Sequence, residues 1–404
     1  MKPLVVDVDS HFQEPPEWLV EVDAPLAKEV SPSWLFETST ADLFTFFTDN
    51  APRDVIAKTT NGLPVPTRAA QQFARGFTDL AEATRALRNS QFRGAVYPWA
   101  GYRPDERIKH LDDNGIDIQF VNPAVGLTTI GRIARHLGPQ TFPRTIRGYN
   151  TWAAGVLHGH TDRLVPTTLL WWENPEWSVA ELHRMRALGS RAFLIPGRPI
   201  DNKSIAHPDF EPVWAAAAEL GMIGILHIGF LGCPVVDEGW YHTGSDQMAD
   251  VGYVLASIQP VVPQMVSAAM IASGLLERHP NLHIIIEEFG ATEWAPAWVE
   301  GFDSLLDLHV LRQITGKWRL PLKPSEYFRR QVLIAAQPGD AIDQAMELLG
   351  TGSVVFSSDF PHPEGSDSAM AAFTDQFDDA HSGGDAAMTS FFGDRMREVL
   401  AIGA

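Results

Sequence analysis

Eight short apolar runs, most of them rich in β-branched residues, recur along the chain: 4–9 (LVVDVD), 116–121 (IDIQFV), 164–170 (LVPTTLL), 191–195 (RAFLI), 222–228 (MIGILHI), 282–288 (LHIIIEE), 332–336 (VLIAA) and 353–358 (SVVFSS). Runs of this length with little polar alternation predict strands buried on both faces, the habit of a parallel sheet. Between them the apolar spacing turns helical. Helices are expected at 142–157, 208–220, 264–279, 296–311, 341–349 and 386–400. Another is expected at 175–188, with Asn174 as its N-cap and Gly189 just past its end. Strands alternating with helices eight times over predict an α/β fold of the (β/α)8 barrel (TIM barrel) kind. The rival, a doubly wound open sheet, is weakened because no glycine-rich dinucleotide fingerprint follows any of the strands.

Two segments break the alternation. Residues 12–105 form a long insertion after strand 1, rich in proline and large aromatics (Trp18, Trp34, Phe44, Phe46, Phe47, Trp99). A structureless loop of that length is improbable, so a cap or oligomer arm packed beside the barrel mouth is expected. Residues 229–263, after strand 5, carry five Gly and three Pro and are expected to form a lid-like or substrate loop. The chain 1–404 is read as a single domain with these two insertions.

Composition narrows the partners. The chain has 31 Lys+Arg against 50 Asp+Glu, a net charge of −19, which argues against nucleic acid and against a polybasic membrane contact. One cysteine, Cys233, excludes an intrachain disulfide and a thiolate metal site. The apolar stretch before Asp7 is too short for a signal-peptide core, and no run approaches a membrane span. A soluble, cytoplasmic protein is therefore expected.

In such a barrel the functional side chains stand at the C-terminal ends of the strands. Strand 1 ends Asp7-Val8-Asp9-Ser10-His11, and alternation puts Asp7, Asp9 and His11 on one face. Strand 5 ends at His227, strand 6 at Glu287-Glu288 and strand 8 at Asp359, with His362 just beyond. Taken singly, a strand-end Asp is often a helix cap and a strand His a hydrogen-bonded core residue. Four separate strand ends offering His, Asp or Glu point instead to a divalent cation, which offsets the burial of several ionisable groups. Imidazoles with carboxylates suit Zn²⁺, Mn²⁺ or Fe²⁺. His158 and His160 have ligand-like spacing but precede strand 3, on the opposite end of the barrel, and are read as structural; His279 and His283 are discounted likewise. Trp171 and Trp172 either line the pocket or plug the barrel. Only one of Glu287 and Glu288 can face inward by strand alternation.

The stretches DVDSHFQEPPEWL, LHIGF, IIIEEFGATEWAPAWVEGFDSLL, KPSEYFRRQV and SSDFPHPEG resemble the amidohydrolase-related (amidohydrolase 2) family of the amidohydrolase superfamily. That group includes aminocarboxymuconate-semialdehyde and resorcylate decarboxylases and related hydrolases. The resemblance implies metal ligands at Asp9, His11, His227 and Asp359, the last also a proton shuttle. It places Glu288 where the family often has His, and so implies that Glu288 faces inward and Glu287 faces the helices or a partner. With one ion, repulsion from Asp9 and Asp359 should raise the Glu288 pKa. Strand 4 ends Phe193-Leu194-Ile195-Pro196, so the lysine of the binuclear hydrolases is missing; a second ion would need Glu288, Glu14 or His362.

The expected function is that of a metal-dependent hydrolase or decarboxylase acting on a small organic carboxylate or carbonyl compound. Its divalent ion is expected to be Zn²⁺ first, with Mn²⁺ or Fe²⁺ open. Catalysis would rest on Asp359, with Glu288 or His362 as a further acid/base and Arg198 for a substrate carboxylate. Two alternatives stand: a dinuclear iron or manganese O2-dependent oxygenase on the same fold, and a low-activity subunit paired with a paralogous chain. A homo-oligomer is expected.

Overall fold

The computed structural model describes residues 4–12, 14, 18–31, 82, 101, 103–228, 257–292, 294–337, 339–362, 369–374, 376–377 and 384–402. Each of the eight expected runs contains a strand: β1 (Val6–Asp7), β2 (Ile118–Val121), β3 (Leu164–Thr168), β4 (Ala192–Leu194), β5 (Ile223–His227), β6 (Ile284–Glu287), β7 (Val332–Ala335) and β8 (Val354–Val355). They pair in parallel in sequence order, from Val6 beside Ile118 to Ala335 beside Val355. The ring closes between β8 and β1: Val8 donates to the Phe356 carbonyl at 3.1 Å, and Ser10 bridges Phe360. The expected (β/α)8 barrel is thus the observed one.

Strand residues are buried on both faces almost throughout, as their unbroken apolar character requires. Space along the strands is tight. A Cβ on Gly224 of β5 would stand 2.8 Å from an Ile195 methyl and 2.9 Å from one of Ile284, so only glycine lets those two isoleucines meet across the strand. Outside, aromatic rings fill the layer between strands and helices. Trp172, Phe193, Phe210 and Trp214 form one group, with centroid separations of 5.2 Å to 6.4 Å. Phe356 of the β8 end packs with Phe373, Phe391 and Phe392 from the C-terminal helices.

Asn174 accepts from the Trp177 amide and caps helix Pro175–Ala187 as expected. Three expected helices are interrupted. The 264–279 segment divides at Gly274, whose φ is +75°. The 296–311 segment divides into Ala295–Leu305 and His309–Thr315, and the last helix carries a π-turn at Ser390–Asp394. Helices Val125–Leu137 and Pro324–Gln331 were not expected; the second has its proline in the first turn, where a missing amide costs nothing.

The insertion boundaries need correction. Helix Pro104–Asn114 is the crossover that feeds β2, so the barrel resumes at 104 and the end of the expected 12–105 insertion lies inside it. The near end is ordered too: Phe12 lies 5.2 Å from Trp152, Trp18 lies 5.4 Å from Tyr149, and Asp23 pairs with Arg144, all against the outer helix Phe142–Val156. Residues 32–81 and 83–100 lie outside the described residues, as does 229–256 of the lid-like loop. Residues 261–263 of that loop are the first turn of helix Val261–Ala272. No helix of the described residues is long and apolar enough to cross a membrane.

Candidate metal centre

The C-terminal strand ends converge. His11 Nε2 lies 3.3 Å from Asp9 Oδ1, 3.4 Å from Asp359 Oδ1 and 3.5 Å from Glu288 Oε1. His227 Nε2 lies 3.0 Å from His11 Nε2, 3.4 Å from Glu288 Oε1 and 3.6 Å from Asp9 Oδ1. His362 Nδ1 lies 2.8 Å from Asp359 Oδ1 and 3.4 Å from Glu288 Oε1, and its ring stacks on His11 at 3.9 Å. Asp9, His11, His227, Glu288, Asp359 and His362 therefore meet in one place; of the residues proposed from sequence as ligands or acids, Glu14 does not join them.

Two features of the donor set fit a divalent cation. The first is spacing. Ligand atoms about 2.1 Å from a common ion stand about 3.0 Å apart in octahedral and about 3.4 Å in tetrahedral geometry; the 3.0 Å to 3.6 Å separations among the His11, His227, Asp9, Glu288 and Asp359 atoms are of that size. The second is direction. Nδ1 of His11 faces the Pro123 carbonyl at 3.2 Å and Nδ1 of His227 the Ile228 carbonyl at 2.5 Å. A carbonyl only accepts, so each Nδ1 carries the proton and each Nε2 turns a lone pair into the cluster. Glu288 Oε1, Asp359 Oδ1 and His362 Nδ1 are buried with no hydrogen-bond partner outside the cluster itself, which costs stability unless a cation takes the lone pairs. Asp9, His11, His227 and Glu288 form one potential ligand group, and His11, Glu288, Asp359 and His362 another that shares two of its members.

The electrostatics agree. Burial alone would lower His227 and His11. Against that, Glu288 and Asp9 act on His227, and hydrogen bonds to Asp359, Asp9 and Glu288 act on His11; both imidazoles are pushed well above their usual range. Burial alone would raise Asp9, but the two imidazoles hold it at about 2. The field that draws protons onto the rings is the field a dication would satisfy, so metal and protons compete for the site.

Glu288 differs from expectation. The charge of His227 and hydrogen bonds to His11, His227 and His362 outweigh its burial and hold it well below the usual carboxylate range. Its neighbour Glu287 is raised instead, lifted by burial and by the charge of Asp9. Nor does Glu287 face the helices. It is fully buried, and its Oε2 accepts from Asn122 Nδ2 at 2.8 Å; the same Nδ2 donates to Asp9 Oδ1 at 2.9 Å. Alternation fails because β6 ends at Glu287 and Glu288 takes a left-handed φ of +61°. Asp359 does the same past β8, at +52°. Both carboxylates thus reach the cluster from backbone positions that non-glycine residues rarely adopt, a form of strain that tends to gather at functional sites.

The remaining expectations divide. Asp7 is buried below the cluster, held by Gln119 and Ser358, and burial lifts its pKa to about 7. Glu14 belongs to neither ligand group among the described residues: its Oε1 accepts from Tyr149 at 2.6 Å and from the Ala124 amide at 3.0 Å. Arg198 Nη2 lies 3.8 Å from Glu173 Oε1. Trp172 packs in the outer aromatic layer, and Trp171 lies 6.3 Å from Trp177. His158 and His160 follow helix Phe142–Val156, ahead of β3, and belong to neither ligand group among the described residues. Asn122 is not among the residues expected from sequence, because an amide side chain is not a usual metal ligand; its signal is its place as the polar residue directly after IQFV at the end of β2.

A family model described as Amidohydrolase matches residues 8–394. The chain belongs to the amidohydrolase family. Among curated proteins it is similar to 2-amino-3-carboxymuconate-6-semialdehyde decarboxylase of Dictyostelium discoideum, 24% identical over 266 residues, 65% of this chain and 67% of that one. Among solved structures it resembles an amidohydrolase from Mycobacterium avium subsp. paratuberculosis, with TM-score 0.68 and 18% identity, covering 99% of this chain and 100% of that one. It also resembles a manganese-bound 5-carboxyvanillate decarboxylase from Novosphingobium aromaticivorans, with TM-score 0.61 and 16% identity, covering 99% and 98%. Those structural likenesses establish the fold. Family membership bears out the expected class, a metal-dependent amidohydrolase-family enzyme of the hydrolase and decarboxylase kind.

Proposed function

We propose that this amidohydrolase is a divalent-metal-dependent decarboxylase of a small, unsaturated or aromatic carboxylic acid. The observation that carries the proposal is the shell of His11, His227, Asp9, Glu288 and Asp359 at the barrel mouth. The printed activities of two relatives, decarboxylation of an aminocarboxymuconate semialdehyde and of 5-carboxyvanillate, supply the substrate class. A divalent ion held there would bind and orient the oxygens of the substrate and spread its negative charge.

The rest falls to side chains of this chain. Loss of CO2 from such an acid requires a proton at the carbon that bears the carboxylate. A C–H bond forms there, the C–C bond to the carboxylate breaks, and its electron pair restores the conjugated system as CO2 leaves. Asp359 and His362 are placed to hold that proton between Oδ1 and Nδ1, 2.8 Å apart. His362 has 22% of its side chain exposed, against 9% or less for the other five, so it stands on the substrate side. Glu288, ionised, serves as a ligand and fixes both His227 and His362. We assign Asp9, His11, His227, Glu288 and Asp359 as ligands, and Asp359 and His362 as the proton-transfer couple.

The ion itself is a finer proposal: the oxygen-rich set suits Mn²⁺ at least as well as Zn²⁺, the ion expected first. The single domain and the homo-oligomer are proposals of the same standing, tested by limited proteolysis and light scattering. The test of function is CO2 release from a panel of hydroxybenzoates and carboxymuconate semialdehydes by protein stripped and reloaded with Mn²⁺ or Zn²⁺. Release that requires the ion supports the reading. Metal-dependent hydrolysis of esters or lactones without any CO2 release would replace it with the hydrolase reading.

A further inference from the structure

β1 and β8 have only two residues each, yet Asp9, His11, Asp359 and His362 all follow them. A short ladder specifies register weakly. Across the seam between them Val8 donates to the Phe356 carbonyl at 3.1 Å, Asp359 to the Asp9 carbonyl at 2.9 Å and His11 to the Phe360 carbonyl at 2.7 Å, while Ser358 donates to the Asp7 carboxylate through its amide and its hydroxyl. Whatever fixes this seam fixes the distances among the donors.

Arg107 reaches the seam from helix Pro104–Asn114 and is 3% exposed. Its Nε donates to Gln119 Oε1 at 2.7 Å; its Nη2 donates to Ser10 Oγ at 3.0 Å and to the His11 carbonyl at 2.8 Å. Its Cζ lies 4.7 Å from the ring centroid of Phe360, the residue after Asp359, and that ring also stacks on His110 of the same helix at 3.9 Å. One guanidinium therefore holds the backbone of His11 on one side of the seam and the neighbour of Asp359 on the other. Burying a guanidinium is costly unless its fork of donors is matched, and here the fork is matched to the seam.

We propose that Arg107 is a positioning residue: with His110 it holds β1 and β8 in the register that brings Asp9 and His11 to Asp359, and so sets the affinity of the site for its divalent ion. This rests on the metal-dependent reading above. A brace that served folding alone would change the melting temperature and leave the affinity of the folded protein untouched.

The experiment compares wild type, Arg107→Lys, His110→Ala and, as control, Arg144→Ala, which removes only the surface pair with Asp23. Each is stripped with chelator, melted metal-free, and titrated calorimetrically with Mn²⁺ and with Zn²⁺. Arg107→Lys keeps the charge and loses the fork. We expect its Kd to rise roughly 10- to 100-fold, with a smaller rise for His110→Ala and none for Arg144→Ala. Folded Arg107→Lys and His110→Ala proteins with the wild-type Kd overturn the proposal. Should Arg107→Lys not fold, His110→Ala decides alone, and a wild-type Kd there overturns it. A wild type that binds neither ion sinks the metal reading itself, an outcome distinct from variants that bind as well as wild type.

Discussion

His11 and His227 point their Nε2 atoms at each other across 3.0 Å, while each Nδ1 faces a backbone carbonyl. Two lone pairs so directed repel each other unless a proton or a cation stands between them. Without metal, the charge of the surrounding carboxylates favours a ring that has taken a proton from solvent; with metal, both rings would ligate neutral. The cluster is therefore stabilised by its ion. We predict that Mn²⁺ or Zn²⁺ at about 100 times its Kd stabilises the folded chain by about 2.7 kcal/mol, and that chelation reverses the shift. Differential scanning calorimetry checks this. An unchanged melting temperature would count against the cluster as a metal site.

Glu288→Gln separates one ion from two. With one ion held mainly by His11, His227, Asp9 and Asp359, the variant should keep its metal with a Kd weakened about 10-fold and lose turnover by roughly 100-fold. With two ions it should lose one ion per chain. Metal analysis beside the CO2 assay distinguishes these, and a variant unchanged in both would remove Glu288 from the site.

Asn122 ties Asp9 to the buried Glu287 and accepts from Thr167 Oγ1 at 2.6 Å. Asn122→Ala should leave Glu287 without that donor and free Asp9 to turn. The expected cost is about 1–3 kcal/mol of stability with about a 10-fold loss of metal affinity. Urea unfolding of the metal-free protein and metal titration measure the two effects separately.

A pH dependence remote from the site follows from His283. Burial, and then the charge of Arg395, push this imidazole down to about 4. An unfolded histidine titrates near 6.5. Between those values the unfolded chain binds a proton that the folded one does not. Stability is therefore full above pH about 6.5 and falls as pH drops toward about 4, by at most about 3 kcal/mol, less for the part of the ring that water reaches. His283→Leu should flatten the stability profile across that window; a profile as steep as wild type would contradict the assignment.

The strands were legible because a parallel barrel buries both faces of each one, and runs such as LHIIIEE carry that burial as unbroken apolar sequence. His11, His227 and Asp359 were legible because they stand at strand ends. Glu287 was misplaced because alternation assumes extended backbone, and the +61° φ of Glu288 ends it one residue early. Sequence carries no mark of that reversal in a non-glycine residue. The insertion was carried into the start of helix Pro104–Asn114, and the rest of that helix was not expected, because its apolar spacing is sparse, with Leu111 fully buried and Arg107 occupying what would otherwise be an apolar core position. A buried arginine looks like a surface residue until its partners are known.

We assign a divalent ion to the ends of β1, β5 and β8. The most direct test of this assignment is metal content after reloading with Mn²⁺ and exhaustive dialysis, measured on wild type and on the His11→Ala, His227→Ala double variant, with His158→Ala, His160→Ala as control. Wild type and control should retain stoichiometric metal, and the folded double variant essentially none, because two of the directed nitrogen donors are gone. Full metal occupancy in the folded double variant would contradict the account.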